Sequence, residues 1–329
     1  RSWIGTPEPQ TRIVNMNHLG RALTEFNDPP VKVLFVYNCN PAATAPDQQR
    51  ILKGLMRPDL FTVVFEQVMT DTALYADVVL PATTFLEGYD FAKAYGPISM
   101  QLGRPVVDAV GEARSNADVF GELCSRLGLL KEDEPSGELD LMLHVLDHLP
   151  GSIGADLRAG KSPEPPYGLT PIQFVDVFPR TSDGKVHLFP ADLEQSAPMG
   201  LYRFQPDPAT ERYPLTLISP SSDRTISSTL GELPRTDAKL LMNPRDAEAR
   251  GLAEGDLVRI FNQLGEVHCP LNVVPTIRPG VVALPKGLWR RSTRNNTTGT
   301  TLVPDTLTDI GEGACFNDAR VQVASLATA

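Results

Sequence analysis

The stretch from Val31 to Glu87 leaves the chain few folds to choose from. It holds three short apolar runs, Lys32–Asn38, Phe61–Gln67 and Asp77–Ala82, rich in Val, Leu and Phe. Each is short enough for a strand and apolar on both faces, the pattern of a buried parallel strand. Between the first two, Asp47–Met56 places Ile51, Leu52, Leu55 and Met56 on one helical face, and Asp47 follows Pro46 in position to cap it. Strand, helix, strand at this spacing predicts a βαβ unit with a right-handed crossover. The predicted strands end in polar groups: Asn38 and Asn40, then Glu66 and Gln67, then Thr83 and Thr84. Open α/β sheets bind ligands beyond the carboxyl ends of their strands, so this rim suits a nucleotide-like ligand. Plain loops are the competing account of the same residues.

No Gly-x-Gly-x-x-Gly fingerprint follows any of these strands. The nearest string, Gly311–Phe316, lacks the third glycine and lies outside the unit, which argues against an ordinary NAD-binding domain. The net charge of −10 argues against non-specific nucleic-acid binding, which needs a basic face. An anionic ligand must then be met locally, by backbone N–H groups and a few Arg or Lys. Cys39, Cys124, Cys269 and Cys315 show no C-x-x-C spacing, so neither an iron–sulfur nor a zinc site is encoded, and burial is expected for all four. His144 and His148 stand i, i+4 with Asp140 a turn earlier, yet no third ligand accompanies them, and no metal ligand is assigned. Nothing resembles a signal peptide or a membrane span.

The 329 residues allow two domains with ample cores. Asn15–Phe26 carries Met16, Leu19, Leu23 and Phe26 at helical spacing. Ser99–Pro105 reads as a strand. Asn116–Leu130, with Val119, Leu123, Leu127 and Leu130 on one stripe, and Glu138–Leu149 read as amphipathic helices. Residues 150–212 are rich in Pro and Gly and read as a long connection, with a hairpin over Val177–Phe189 turning at Asp183-Gly184. From Tyr213 onward, short strands at regular spacing with Gly turns predict a closed β architecture. The expected organisation is therefore 1–130 α/β, 131–212 connection with helix and hairpin, and 213–329 β-barrel.

Six longer segments carry a resemblance: Asn40–Arg50, Phe61–Gly88, Val110–Gly128, Asn243–Val267, Arg278–Trp289 and Leu302–Val323. Together, and in this order, they resemble the molybdopterin oxidoreductases of the dimethyl sulfoxide reductase superfamily. The resemblance implies a parallel Rossmann-like α/β domain followed by a double-psi β-barrel of the aspartate-decarboxylase type, with fold alone implied by that comparison. It implies a bis-(molybdopterin guanine dinucleotide) cofactor holding molybdenum or tungsten. Family members also have an N-terminal half with the metal ligand and, in many, a [4Fe–4S] segment. This chain reads as the C-terminal half, expected to need that N-terminal half as partner, to accept an electron-transfer subunit, and to be inactive alone. A cytoplasmic location is expected, with a periplasmic one left open because the native N-terminus looks absent.

Candidate cofactor contacts follow from polar groups at strand ends. Asn38 and Asn40 have amides that pair with a guanine or ribose edge, and Pro41 stiffens their turn. Glu66 or Gln67 ends the second strand. Thr70, Asp71 and Thr72 offer hydroxyls and free N–H groups where a helix opens, Asp71 alternatively serving as a plain N-cap. In the barrel region, Ser219–Thr229 is dense in hydroxyls, including Ser219, Ser221 and Thr225. Arg224 is its best cation for pyrophosphate, or else an exposed salt bridge. Trp289–Thr301 supplies Arg290, Arg291 and Arg294 to counter phosphate charge. The resemblance adds Thr300, which stands where related sequences usually carry an Asn, and Phe316 and Asn317, which resemble a segment closing over one pterin. The resemblance also places the region holding Glu87, Asp90 and Tyr95 near the route to the metal, with a solvated loop the equal competing account. No catalytic base is assigned. The competing function is a structural or split subunit that kept the fold without cofactor redox activity.

Overall fold

A computed structural model describes residues 12–93, 100–131, 133–164, 168, 170–197, 199–204, 210–221, 227–233 and 237–326. In chain order its strands are β1 (Val33–Tyr37), β2 (Phe61–Glu66), β3 (Val78–Pro81), β4 (Asp90–Lys93), β5 (Met100–Gly103), β6 (Leu215–Ile218), β7 (Leu240–Met242), β8 (Leu257–Phe261), β9 (Glu266–Val273), β10 (Val281–Ala283) and β11 (Arg320–Ser325). Its α-helices are α1 (Leu19–Thr24), α2 (Pro41–Thr44), α3 (Gln48–Leu55), α4 (Asn116–Arg126), α5 (Glu138–Asp147), α6 (Ile153–Arg158), α7 (Ala191–Ser196) and α8 (Pro244–Glu248). Among the described residues no helix is long and apolar enough to cross a membrane.

The chain forms two compact units, one from Arg1–Val64, Val68–Val79 and Ala191–Ala329, the other from Phe65–Gln67 and Leu80–Pro190. The first contains a closed six-stranded barrel in the order β10-β6-β11-β8-β9-β7. Period-2 alternation builds it: Val267, Cys269 and Leu271 of β9 point inward beside Val258 and Ile260 of β8 and Val321 of β11, all fully buried. Pairing is mixed, parallel for β10 with β6 and for β7 with β9, antiparallel elsewhere. Gly255 and Gly280 take positive φ at the turns that lead into β8 and β10.

In the same unit α1 crosses α3 closely. A Cβ on Gly54 would lie 2.5 Å from Leu23 Cβ, so the small residue lets the helices touch. Ile51, Leu52 and Leu55 are buried there with Leu23, whereas Met56 turns to solvent because the helix has ended at Leu55. Asp47 caps α3 as expected, accepting from Arg50 N, and does so from a left-handed backbone. β1, β2 and β3 form a three-stranded sheet in that order.

The end of the chain is tied to α1 by Asp305, which accepts from Arg21 Nε at 2.5 Å and Nη2 at 2.6 Å, with Arg50 Nη1 at 3.4 Å. The Arg21 guanidinium holds the Asp305 carboxyl below its ordinary value. A carboxyl whose folded pKa is depressed contributes stability above its unfolded pKa and loses it as pH falls through the folded one. Acid titration of stability will therefore show a loss starting near about pH 4, the ordinary Asp range, and Arg21→Gln will flatten that slope. An unchanged slope in circular-dichroism melts across pH 2–6 sinks the assignment.

In the second unit, β4 and β5 pair antiparallel and pack with α5 and α6 around Met142, Leu146 and Leu157. The expected hairpin over Val177–Phe189 is not formed. Asp183-Gly184 does turn, but Thr181 Oγ1 bonds Lys185 O and Asp183 Oδ1 accepts from Lys185 N, so the segment closes on itself and no strands flank it. α4 ends at Arg126, with Gly128 at positive φ, and of its predicted stripe only Val119 is buried while Leu127 is 69% exposed. Burial fails for three of the four cysteines too: Cys39 is exposed, Cys124 and Cys315 are half-buried, and only Cys269 lies inside. Cys269 points into the barrel, where desolvation pushes its thiol up to about 12.

Candidate functional site

The short helix α2 anchors two polar clusters. Pro41 occupies its first turn, where a missing N–H costs nothing. Asn40 precedes it but does not cap it. Instead Asn40 Oδ1 accepts from Thr72 N at 3.1 Å and Thr72 Oγ1 at 2.8 Å, and Thr72 Oγ1 accepts from Ala42 N at 3.0 Å. The cap is thus supplied from a distant loop. Thr70 Oγ1 accepts from Ala73 N in that loop, and Asp71 Oδ2 accepts from Arg290 N at 2.9 Å. Asn40, Thr70, Asp71 and Thr72 are all buried, and Asn40 Nδ2 is a buried donor with no partner among the described residues. Such an atom is costly unless something outside the protein accepts from it.

At its other end α2 meets Pro46, which has no N–H for the Ala42 carbonyl. Gln48, fully buried, fills that role: Nε2 donates to Ala42 O at 2.6 Å and to Thr298 Oγ1 at 3.0 Å. Gln48 Oε1 accepts from Thr298 N at 3.0 Å and Thr301 Oγ1 at 2.5 Å. This carboxamide, absent from the sequence-derived candidates, joins α2 to the 298–301 segment.

Between them opens a cavity of about 300 Å³. Ala43, Thr44, Ser219, Lys286, Gly287, Thr298, Thr300, Phe316 and Asn317 are among the residues that line it. Four candidates therefore come together here: Ser219, Thr300, Phe316 and Asn317. Asn317 Oδ1 accepts from Ser219 N at 3.1 Å, which turns its Nδ2 into the remaining donor. Lys286 is exposed and, among the described residues, is the one charged residue lining the cavity. Gly287 has φ +73, and a Cβ there would stand 1.6 Å from Ser227 O, so only glycine admits the 227–233 loop this close. Trp289 Nε1 bonds Ser228 O at 2.7 Å and holds the same loop down.

The remaining candidates are placed differently. Asn38 is exposed at φ 52, and Ser221 is exposed. Arg224 and Thr225 lie outside the described residues, as does Tyr95. Glu66 and Gln67 belong to the second unit, where Glu66 Oε1 accepts from Gln67 N and Gln67 Nε2 donates to Thr83 O. Glu87 there accepts from Thr84 N and Val110 N, which keeps its carboxyl below the usual range, and Asp90 starts β4. Arg290 serves Asp71, Asn296 O and Tyr75 Oη. Arg291 serves the Gly231 and Leu233 carbonyls, and Arg294 pairs with Asp237 at 2.5 Å. The predicted arginine cluster is thus committed to protein partners. His144 and His148 stack at 4.3 Å, and among the described residues no group of three ligating side chains is placed to hold a metal ion.

Burial raises the Asp71 carboxyl above its ordinary value, opposed by the Arg290 N–H and charge. A group with a raised folded pKa stabilises below its unfolded pKa and loses that contribution as pH rises through the folded one. Asp71→Asn keeps an acceptor for Arg290 N without the buried charge. It will melt at or above the wild-type temperature at pH 7, with the difference closing near about pH 3, and Asp71→Ala will melt lower at both.

Residues 13–126 match the molybdopterin oxidoreductase family model and residues 215–320 the molydopterin dinucleotide binding domain model. A probable oxidoreductase, YoaE, of Bacillus subtilis (strain 168) is 34% identical over 95% of this chain and 47% of its own length. The trimethylamine-N-oxide reductase of Haemophilus influenzae is 27% identical over 85% of this chain and 39% of its own. The chain thus spans less than half the length of these curated relatives. Acetylene hydratase from Pelobacter acetylenicus shares the fold, with TM-score 0.76 at 22% identity, over 95% of this chain and 47% of that one.

Proposed function

This chain belongs to the molybdopterin oxidoreductases, and from that premise we propose that it holds part of a bis-(molybdopterin guanine dinucleotide) cofactor in an enzyme of oxygen-atom or hydride transfer. The observation that carries the reading is the donor set around α2. Asn317 Nδ2 and Lys286 offer donors in the cavity lining, and Asn40 Nδ2, outside that lining at the start of α2, is a buried donor with no partner among the described residues. That set suits an anionic, heteroatom-rich ligand, and a volume of about 300 Å³ accepts one portion of a dinucleotide rather than the whole.

Ser219, Lys286, Thr300, Phe316 and Asn317 would hold that portion. The bound group supplies two-electron redox chemistry at molybdenum or tungsten. The protein residues orient it and keep water from its faces. Phe316, 38% exposed at the rim, offers an apolar face to a flat ring. The Rossmann-like reading of the first sheet is part of this proposal. Asp77 N bonds Thr62 O and Ala82 N bonds Glu66 O, so β2 and β3 advance together, as parallel strands do. The double-psi reading of the barrel is supported by its two parallel pairings. Division into α/β residues 1–130, a connection 131–212 and a barrel 213–329 is supported by the two matched segments. In this reading the metal ligand and any [4Fe–4S] cluster come from polypeptide beyond these residues, in the same enzyme or with an electron-transfer subunit.

The test is metal and pterin analysis of the protein purified from its natural source. About one equivalent of molybdenum or tungsten with guanine-containing pterin is expected. A protein free of both is a structural subunit instead.

A further inference from the structure

Two hydroxyls and one carbonyl share the α2 side of the cavity. Thr298 Oγ1 lies 3.0 Å from Ala43 O, Thr300 Oγ1 lies 3.2 Å from the same oxygen, and the two hydroxyls are 2.7 Å apart. The orientation of the Gln48 carboxamide is set by two backbone groups of fixed character: Thr298 N–H only donates, and Ala42 C=O only accepts. Gln48 Nε2 therefore donates to Thr298 Oγ1, and Thr298 must point its own hydrogen elsewhere.

Ala43 O is buried, and the N–H of Asp47, its natural helical partner, goes to Val303 O at 2.9 Å. A hydroxyl must satisfy it. If Thr298 does so, the 2.7 Å contact needs Thr300 as donor to Thr298. If Thr298 donates to Thr300, then Thr300 supplies Ala43 O. Either way the Thr300 hydrogen is used inside the wall, and Thr300 turns a lone pair to the cavity.

We propose that Gln48 is a positioning residue that fixes the hydroxyl pair, making Thr300 a hydrogen-bond acceptor that selects an N–H or O–H donor of the bound ligand and rejects a phosphate oxygen there. The inference rests on the cavity holding part of the pterin dinucleotide.

The test uses the full-length holoprotein with four variants: Thr300→Val, Thr300→Ser, Gln48→Met, and Gln48→Met with Thr300→Val. Pterin remaining per polypeptide is followed during identical dialysis, alongside unfolding midpoints. Thr300→Val, which keeps the shape and removes the acceptor, will lose pterin about fivefold faster, the worth of one neutral hydrogen bond. Thr300→Ser will match wild type. Gln48→Met will also lose pterin faster, and adding Thr300→Val to it will change the rate little, since the two act as one unit. Wild-type retention by Thr300→Val, or multiplied effects in the double variant, overturns the inference. Should the Gln48 variants not fold, the Val–Ser contrast at Thr300 decides alone. A wild-type holoprotein without pterin overturns both this and the proposed function, and is seen before any variant is compared.

Discussion

Gly287→Val will cost about 3 kcal/mol or more of stability and displace Ser227 from the cavity lining. Two effects combine. The backbone sits at φ +73, where a β-branched residue is strained, and the new Cβ would fall 1.6 Å from Ser227 O and 2.1 Å from Ser227 C. Backbone atoms cannot swing aside as a side chain does, so the loop must lift. Trp289 Nε1 then loses Ser228 O, and Gly231, whose Cβ position lies 1.9 Å from that indole nitrogen, loses its packing. Gly280→Ala is the control. Its φ is +82, yet nothing lies within 4 Å, so only the backbone term of about 1 kcal/mol applies. Urea titration of both variants reads the difference, and equal midpoints would show that the contact with Ser227 does not constrain the loop.

Leu271→Ala will destabilise the barrel by about 2–5 kcal/mol. Leu271 is fully buried in β9, and β9 pairs in parallel with β7 and antiparallel with β8, so the strand cannot collapse into the space left. Leu257→Ala in β8, at a side chain 36% exposed, will cost about 1 kcal/mol or less. Because β6, β10 and the barrel core position Ser219, Lys286 and Gly287, the first variant should also lose bound pterin, whereas the second should not. Chemical denaturation with pterin assay after purification checks both, and similar losses for the two leucines would place the core elsewhere.

What the sequence by itself determined was every feature that repeats locally. Alternation at Val267, Cys269 and Leu271, with glycines at 255 and 280, is enough for a barrel strand and its turns, because side-chain direction in a strand depends only on neighbours. Asp47 ahead of α3 was legible for the same reason, whereas Ser219, Thr300, Phe316 and Asn317 were named one by one, and only the fold brings them to one cavity. Tertiary structure alone decided where charges and amides are used. Arg290, Arg291 and Arg294 look free in a run of polar residues, but the Tyr75 hydroxyl, the Gly231 carbonyl and Asp237 claim their guanidinium groups from far along the chain. Gln48 reads as one more polar residue at a helix start. It becomes the tie between α2 and the 298–301 segment only because Pro46 leaves the Ala42 carbonyl without a backbone donor and the fold brings Thr298 and Thr301 within reach. Hydrogen-bond partners with no periodicity in sequence leave no trace there, and their pairing exists only once the chain has closed.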